Sequence, residues 1–262
     1  MLRLLKIEWM KVKNYTTFWV LSVLYLVSIF GAAYISHLIY ESRPKDDKGM
    51  TGAIIGKPFD FPDVWHMVSY TSSFLMFMLG LLIIISITNE FSYKTHRQNV
   101  IDGWSRKEFI LVKMLLTVVI SLVATFAVFI TAIIFGLQED AAFSFEKIEF
   151  IGYFFIQALS YSSAALLFSL LFKRSGITIG VYFLYSTIIE NMLAGLLNKY
   201  FDNFGRYLPL ETTDNLIRIP VFKMIVSQLT LSYNTEALLL MSLAYLGLYY
   251  FISYRKFETD DL

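Results

Sequence analysis

The chain has 262 residues, of which 56% are apolar and only 16% charged, against roughly 25% charged in an ordinary soluble domain. The net charge of +1 by itself says nothing useful about partners, whereas its distribution along the chain does; no nucleic-acid partner is expected. The lack of cysteine excludes disulfides, thiol chemistry and Cys-ligated metals. A chain this apolar needs a bilayer as its solvent.

Residues 2–14, "LRLLKIEWMKVKN", form a basic segment predicted to be an amphipathic helix. Arg3, Lys6, Lys11 and Lys13 precede an apolar run, as in a signal peptide. That run exceeds a signal core of roughly 7–15 residues and ends without a small-residue cleavage site, so it reads as a retained span. A helix needs about 20 apolar residues to cross the hydrocarbon core. Six stretches meet or approach this: 17–40, 68–88, 114–138, 150–172, 176–197 and 237–253. The last is short and would need tilt or local thinning. The expected fold is therefore all-α, a polytopic membrane protein with one transmembrane domain over 1–262.

Orientation follows from Lys and Arg. With the N-terminus inside, 13 of the 22 basic residues fall on the cytoplasmic side, in less chain than the other nine occupy. Lys173-Arg174, in a turn too short to translocate as a domain, marks the inner side. Trp19 near one inner end and Trp65 and Tyr70 near an outer end fit aromatic belts. Both termini are expected in the cytoplasm.

The polar stretch "NEFSYKTHRQNVIDGWSRKEF", 89–109, lies between the second and third spans. Glu90 and Lys94, four apart, suit one helical face. Asp102-Gly103 then breaks that helix. Ser105 with Glu108 has capping-box spacing, and Trp104 with Phe109 that of a hydrophobic staple. The reading is helix, elbow, capped helix, either lying in anionic headgroups or docking on a protein.

Glu90, Thr95, Arg97, Gly103, Ser105-Arg106 and Lys113 fall in the pattern E-x4-T-x-R-x5-G-x-S-R-x6-K. This resembles the loop between the second and third spans of type 2 ABC-transporter permeases. The six-span plan, the basic N-terminal segment and the long last outer loop are also similar. The resemblance implies the membrane subunit of an ABC exporter in a bacterial inner membrane. It implies a cytoplasmic coupling helix in 89–109, carrying Glu90, Lys94, Thr95, Arg97, Gly103, Ser105 and Arg106, docked on an ATPase. It implies two ATPase copies and a second copy of the permease, with membrane lipid around them.

The chain itself has no phosphate loop. In "GAIIGKPF", Thr51 stands where the first glycine is needed and Pro58 where Ser or Thr is needed. The ATPase is therefore expected on a separate chain, and no cofactor or bond chemistry is assigned to this one. His37, His66 and His96 form no ligand cluster in sequence, and Met67, Met76 and Met78 read as flexible packing before soft-metal ligands.

Glu190 interrupts the fifth span, about 21 Å along from Gly176 at 1.5 Å per residue. An acid at that depth faces a bundle interior or an aqueous path. Two roles remain open for it: a buried carboxyl satisfied by Asn191 or neighbouring hydroxyls, or a wall of the translocation path. Glu236 reads as interfacial. After a turn near Pro209, Leu216, Ile219, Phe222, Val226 and Leu229 have helical spacing. The stretch resembles the outer re-entrant helices of the permease family, the alternative being a segment that rests on the outer leaflet. Rival readings are an ion-coupled carrier or channel, which would carry several intramembrane charges or broken helices, and a membrane-embedded hydrolase or transferase.

Overall fold

The computed structural model describes residues 2–42, 57–95, 98, 103–138, 142–201, 203–220 and 234–259, and every regular element among them is helical. Helix α1 is Leu2–Lys13, α2 Thr16–Glu41, α3 Val64–Ser73 and α4 Met76–Ser92. Then come α5, Arg106–Gly136, α6, Glu149–Phe172, and α7, Ser175–Tyr200. The short α8, Glu211–Asp214, and α9, Thr235–Thr259, complete the described set. Helices α2, α5, α6, α7 and α9 are each long and apolar enough to cross a bilayer, and the bent pair of α3 with α4 makes a sixth if the two form one span.

The distribution of side chains is that of a protein dissolved in lipid. Val20, Val23, Val27, Ile35 and Ile39 of α2 point outward, while Ser121, Ser160, Ser162, Ser163, Ser169 and Ser242 are wholly buried between helices. Small hydroxyl residues let helix backbones approach closely and bond within the bundle. Helix α6 is the central post, packing on α4, α5 and α9. Glycine serves the same end where α4 meets α7. The Tyr182 ring occupies the space a Cβ on Gly80 would need.

The predicted straight second span, 68–88, is instead two helices meeting at 52° around Phe74 and Leu75. The cause is local. Thr71 Oγ1 and Ser73 Oγ donate to the carbonyls of Val68 and Tyr70, and Leu75 N–H reaches only back to Ser72. Hydroxyls that bond back to the preceding turn compete with the helical ladder and bend it.

The last span is not short. Its apolar run ends near Ser253, but the helix continues to Thr259 because Phe257 is buried, stacked on Phe109 at 4.6 Å. The third span begins early, at Arg106, since Ser105 caps it: the hydroxyl accepts from Glu108 N–H, and the Glu108 carboxylate accepts from Ser105 N–H. The capping box is as the spacing predicts.

In α7, Thr178, Tyr182, Ser186, Glu190 and Ala194 are buried, every fourth residue. At 3.6 residues per turn such a stripe drifts about 40° per step. Leu184–Ile189 is a π-helical turn, whose i→i+5 bonds take more residues per turn and retard that drift. Glu190 thereby stays on the buried side.

Candidate functional site

Two polar clusters stand at opposite ends of the bundle. The first gathers α1, the end of α4 and the start of α5. Lys113, completely buried, donates to Glu8 Oε2 at 2.5 Å and to Glu90 Oε1. Lys11 donates to Glu8 Oε1 at 2.9 Å and reaches Glu90 Oε1 at 3.4 Å. Two cations thus face two anions, a neutral set that satisfies the demand for pairing of buried charge. Burial alone would push the Glu8 carboxyl up, but the charges and hydrogen bonds of Lys113 and Lys11 outweigh it and hold Glu8 below the usual carboxylate range.

This cluster adjoins both described ends of the 89–109 segment, through Glu90 and Trp104. Lys11 Nζ also lies 5.6 Å from the Trp104 ring centroid, a cation–π contact. Arg106 Nη1 donates to the Glu258 carbonyl at 2.9 Å, tying the segment to the end of α9. The N-terminal helix, the polar segment and the C-terminal helix therefore meet at one end.

The expected single helix from Glu90 through Lys94 does not form. Helix α4 ends at Ser92, and Lys94 has a left-handed backbone with φ 57°. Glu90 therefore pairs with Lys113 and Lys11, leaving Lys94 exposed. Buried pairing outweighs an exposed i, i+4 contact, which contributes only about 0.2–0.5 kcal/mol. Thr95 Oγ1 donates to the Glu90 carbonyl at 3.4 Å. Gly103 has φ 96°, consistent with the predicted elbow. Arg97, His96 and Asp102 lie outside the described residues. Spacing alone could not reveal Glu8 and Lys11 as partners, although an acid between basic residues in an amphipathic segment was a visible signal.

The second cluster joins α7, α6 and the segment 204–217. Glu190 Oε1 accepts from the backbone N–H groups of Leu210 at 2.5 Å and Glu211 at 3.2 Å. Its partners are thus main-chain amides twenty residues on. Asn191 turns away and donates to the Thr187 carbonyl. Asp214 accepts from Gln157 Nε2 at 2.8 Å and from Tyr161 Oη at 2.9 Å. Burial lifts Asp214 to about 6. Burial and the neighbouring Asp214 and Glu190 carboxylates lift Glu211 to about 7. Tyr245 Oη donates to the Tyr207 carbonyl at 2.8 Å, fixing α9 to the same segment.

Of the predicted helical face beyond Pro209, Leu216 is buried and Ile219 exposed; Phe222, Val226 and Leu229 lie outside the described residues. His37 and His66 have separate aromatic neighbours. His37 meets Phe59 edge-on at 4.9 Å, and His66 stacks on Phe150 at 3.8 Å. Met76 is in the core.

No curated protein matches the chain. The sequence pattern of the ABC-2 family transporter protein matches residues 4–189, which spans α1 through the π-helical turn just before Glu190. The match covers well over half of the chain and includes the polar segment with its buried ion cluster. The protein belongs to the ABC-2 transporter family and is a multi-pass membrane permease.

Proposed function

We propose that this permease is the membrane subunit of an ATP-driven exporter, in which two copies of the chain pair with two copies of a separate ATPase. Segment 89–109 docks on the ATPase as the coupling element, through Lys94, Thr95, Arg97 and the elbow at Gly103. Closure of the ATPases changes the packing of the two permease copies and exposes the path alternately to either side. Both termini lie in the cytoplasm of a bacterial cell.

The observation that carries this reading is the ion cluster of Lys113, Glu8 and Glu90, all buried, with the half-buried Lys11, at the described ends of the segment. A docking segment transmits displacement only when it is anchored to the helices that must move. Here its anchors are α1, α4 and α5 together. The carrier and channel reading has less support, because the charges in this set are paired at the end of the bundle and do not line a path. Glu190 serves the path by holding segment 204–217, with its carboxylate turned to backbone amides.

The test is ATP hydrolysis and transport by the permease reconstituted with its ATPase. Arg97→Glu reverses charge on the docking segment. Gly103→Val places a β-branched residue at φ 96°, a conformation such residues avoid. Each variant is expected to lower permease-stimulated hydrolysis at least several-fold, with normal amounts of protein in the membrane. Normal coupling by both would show that the segment only rests on lipid.

A further inference from the structure

A cavity of about 300 Å³ opens at the bend between α3 and α4, bounded also by α6, α7 and the segment after Pro209. We propose that it binds the protonated amine of an amphipathic organic cation, with Asp214 as counter-charge and Gln157 Oε1 as hydrogen-bond acceptor. The inference deepens the export reading, on which it rests, by assigning a cargo class.

The polar wall is built and incomplete. Gln157 is only 2% exposed; its Nε2 is committed to Asp214, and its Oε1 has no hydrogen-bond partner among the described residues. A buried acceptor left bare is costly, so it marks a place where a donor belongs. Tyr161 Oη is likewise spent on Asp214, which fixes the carboxylate from a second side. No Lys, Arg or His is among the described residues that line the cavity. The wall therefore holds a fixed negative charge beside a buried, unpartnered acceptor, and its charge complement is an N–H-bearing cation.

The apolar lining includes Phe74, Phe77 and Ile217. Aromatic faces attract cations and cover the apolar part of an amine. An anion would oppose Asp214, and a divalent metal would find one carboxylate where such ions take several oxygen ligands. Asp214, lifted only to about 6, is ionised in the neutral range and can supply the charge.

The bend creates the opening. Ser73 and Phe74 stand at the 52° turn and, with Phe77 just past it, line the same recess as Asp214. The π-helical turn of α7 supplies the remaining side, with Ser186 and Thr187 on the cavity wall.

The experiment uses the full chain alone in lipid nanodiscs, without ATPase or nucleotide. Phenethylamine, protonated at pH 7.5, is titrated calorimetrically beside its uncharged counterpart 2-phenylethanol. The amine is expected to bind at least tenfold more tightly than the alcohol, and Asp214→Asn to lose at least tenfold in amine affinity. Ser73→Phe narrows the cavity without touching Asp214. It is expected to abolish amine binding while the protein still elutes as a single species. Equal binding of amine and alcohol by the unmodified chain, which requires no variant, overturns the proposal. So does undiminished binding by a well-folded Asp214→Asn or Ser73→Phe protein. Because nothing in the measurement depends on ATP, failure here with intact coupled hydrolysis refutes the amine site alone. Amine binding with no coupling refutes the exporter reading alone.

Discussion

Lys113 illustrates how one side chain can decide the arrangement of three helices. It sits eight residues past the N-cap of α5, where its ammonium cannot reach water, and both carboxylates that neutralise it come from other elements. Removing one partner of a buried ion pair strands the others and costs about 3–5 kcal/mol. Lys113→Met is therefore expected to destabilise the protein by about that amount. The first visible consequence should be release of α1, read as new protease cleavage between Lys11 and Asn14. Adding Glu8→Gln and Glu90→Gln removes the stranded charges and is expected to restore protection. If Lys113→Met leaves α1 as protected as before, the cluster does not hold it.

At the scale of elements, the polar link between α7 and the segment 204–217 depends on Glu190 accepting from two amides at the start of α8. The helix spans only four residues and has no cap from its own sequence. Glu190→Gln keeps an acceptor oxygen in the same place, so the segment is expected to stay docked. Glu190→Leu leaves two buried N–H groups unpaired, at about 1–3 kcal/mol for each group left unsatisfied. Amide hydrogen exchange at Leu210 and Glu211 should then accelerate at least tenfold in the Leu variant and remain near normal in the Gln variant. Equal exchange in both would mean that packing of Leu210 and Leu216, not the carboxylate, holds the segment. The π-helical turn belongs to the same account, because it keeps Glu190 in line with Tyr182 and Ala194.

For the whole molecule, the two polar clusters mark the two ends. Helix α1 and the end of α9 share an end with segment 103–113, through the Lys113–Glu8, Arg106–Glu258 and Phe109–Phe257 contacts. The arrangement predicts that Lys94, Arg106 and the C-terminus lie on one side of the membrane, and the excess of basic residues makes that side the cytoplasm. The native chain has no cysteine, so Lys94→Cys introduces a single thiol. An impermeant maleimide is expected to label it in inverted vesicles and to leave it unlabelled in intact cells. Labelling in intact cells would reverse the topology.

What the sequence alone determined is what depends on neighbours along the chain and on solvent. Apolar length specified the spans and the bilayer, Ser105 with Glu108 specified the start of α5, and Gly103 marked the elbow, because burial in lipid, capping and left-handed backbone are local requirements. The polar segment with its pattern of Glu90, Thr95, Arg97, Gly103 and Lys113 was enough to indicate the family. Only the tertiary structure decided the partners. Glu90 faces Lys113 and Lys11 in place of Lys94, Glu190 caps the backbone at Leu210, and Asp214 meets Gln157 across 57 residues. The bend at Phe74 and the π-helical turn before Glu190 were hidden for the same reason. Each is a distortion whose cost is set locally and whose compensation comes from helices distant in sequence.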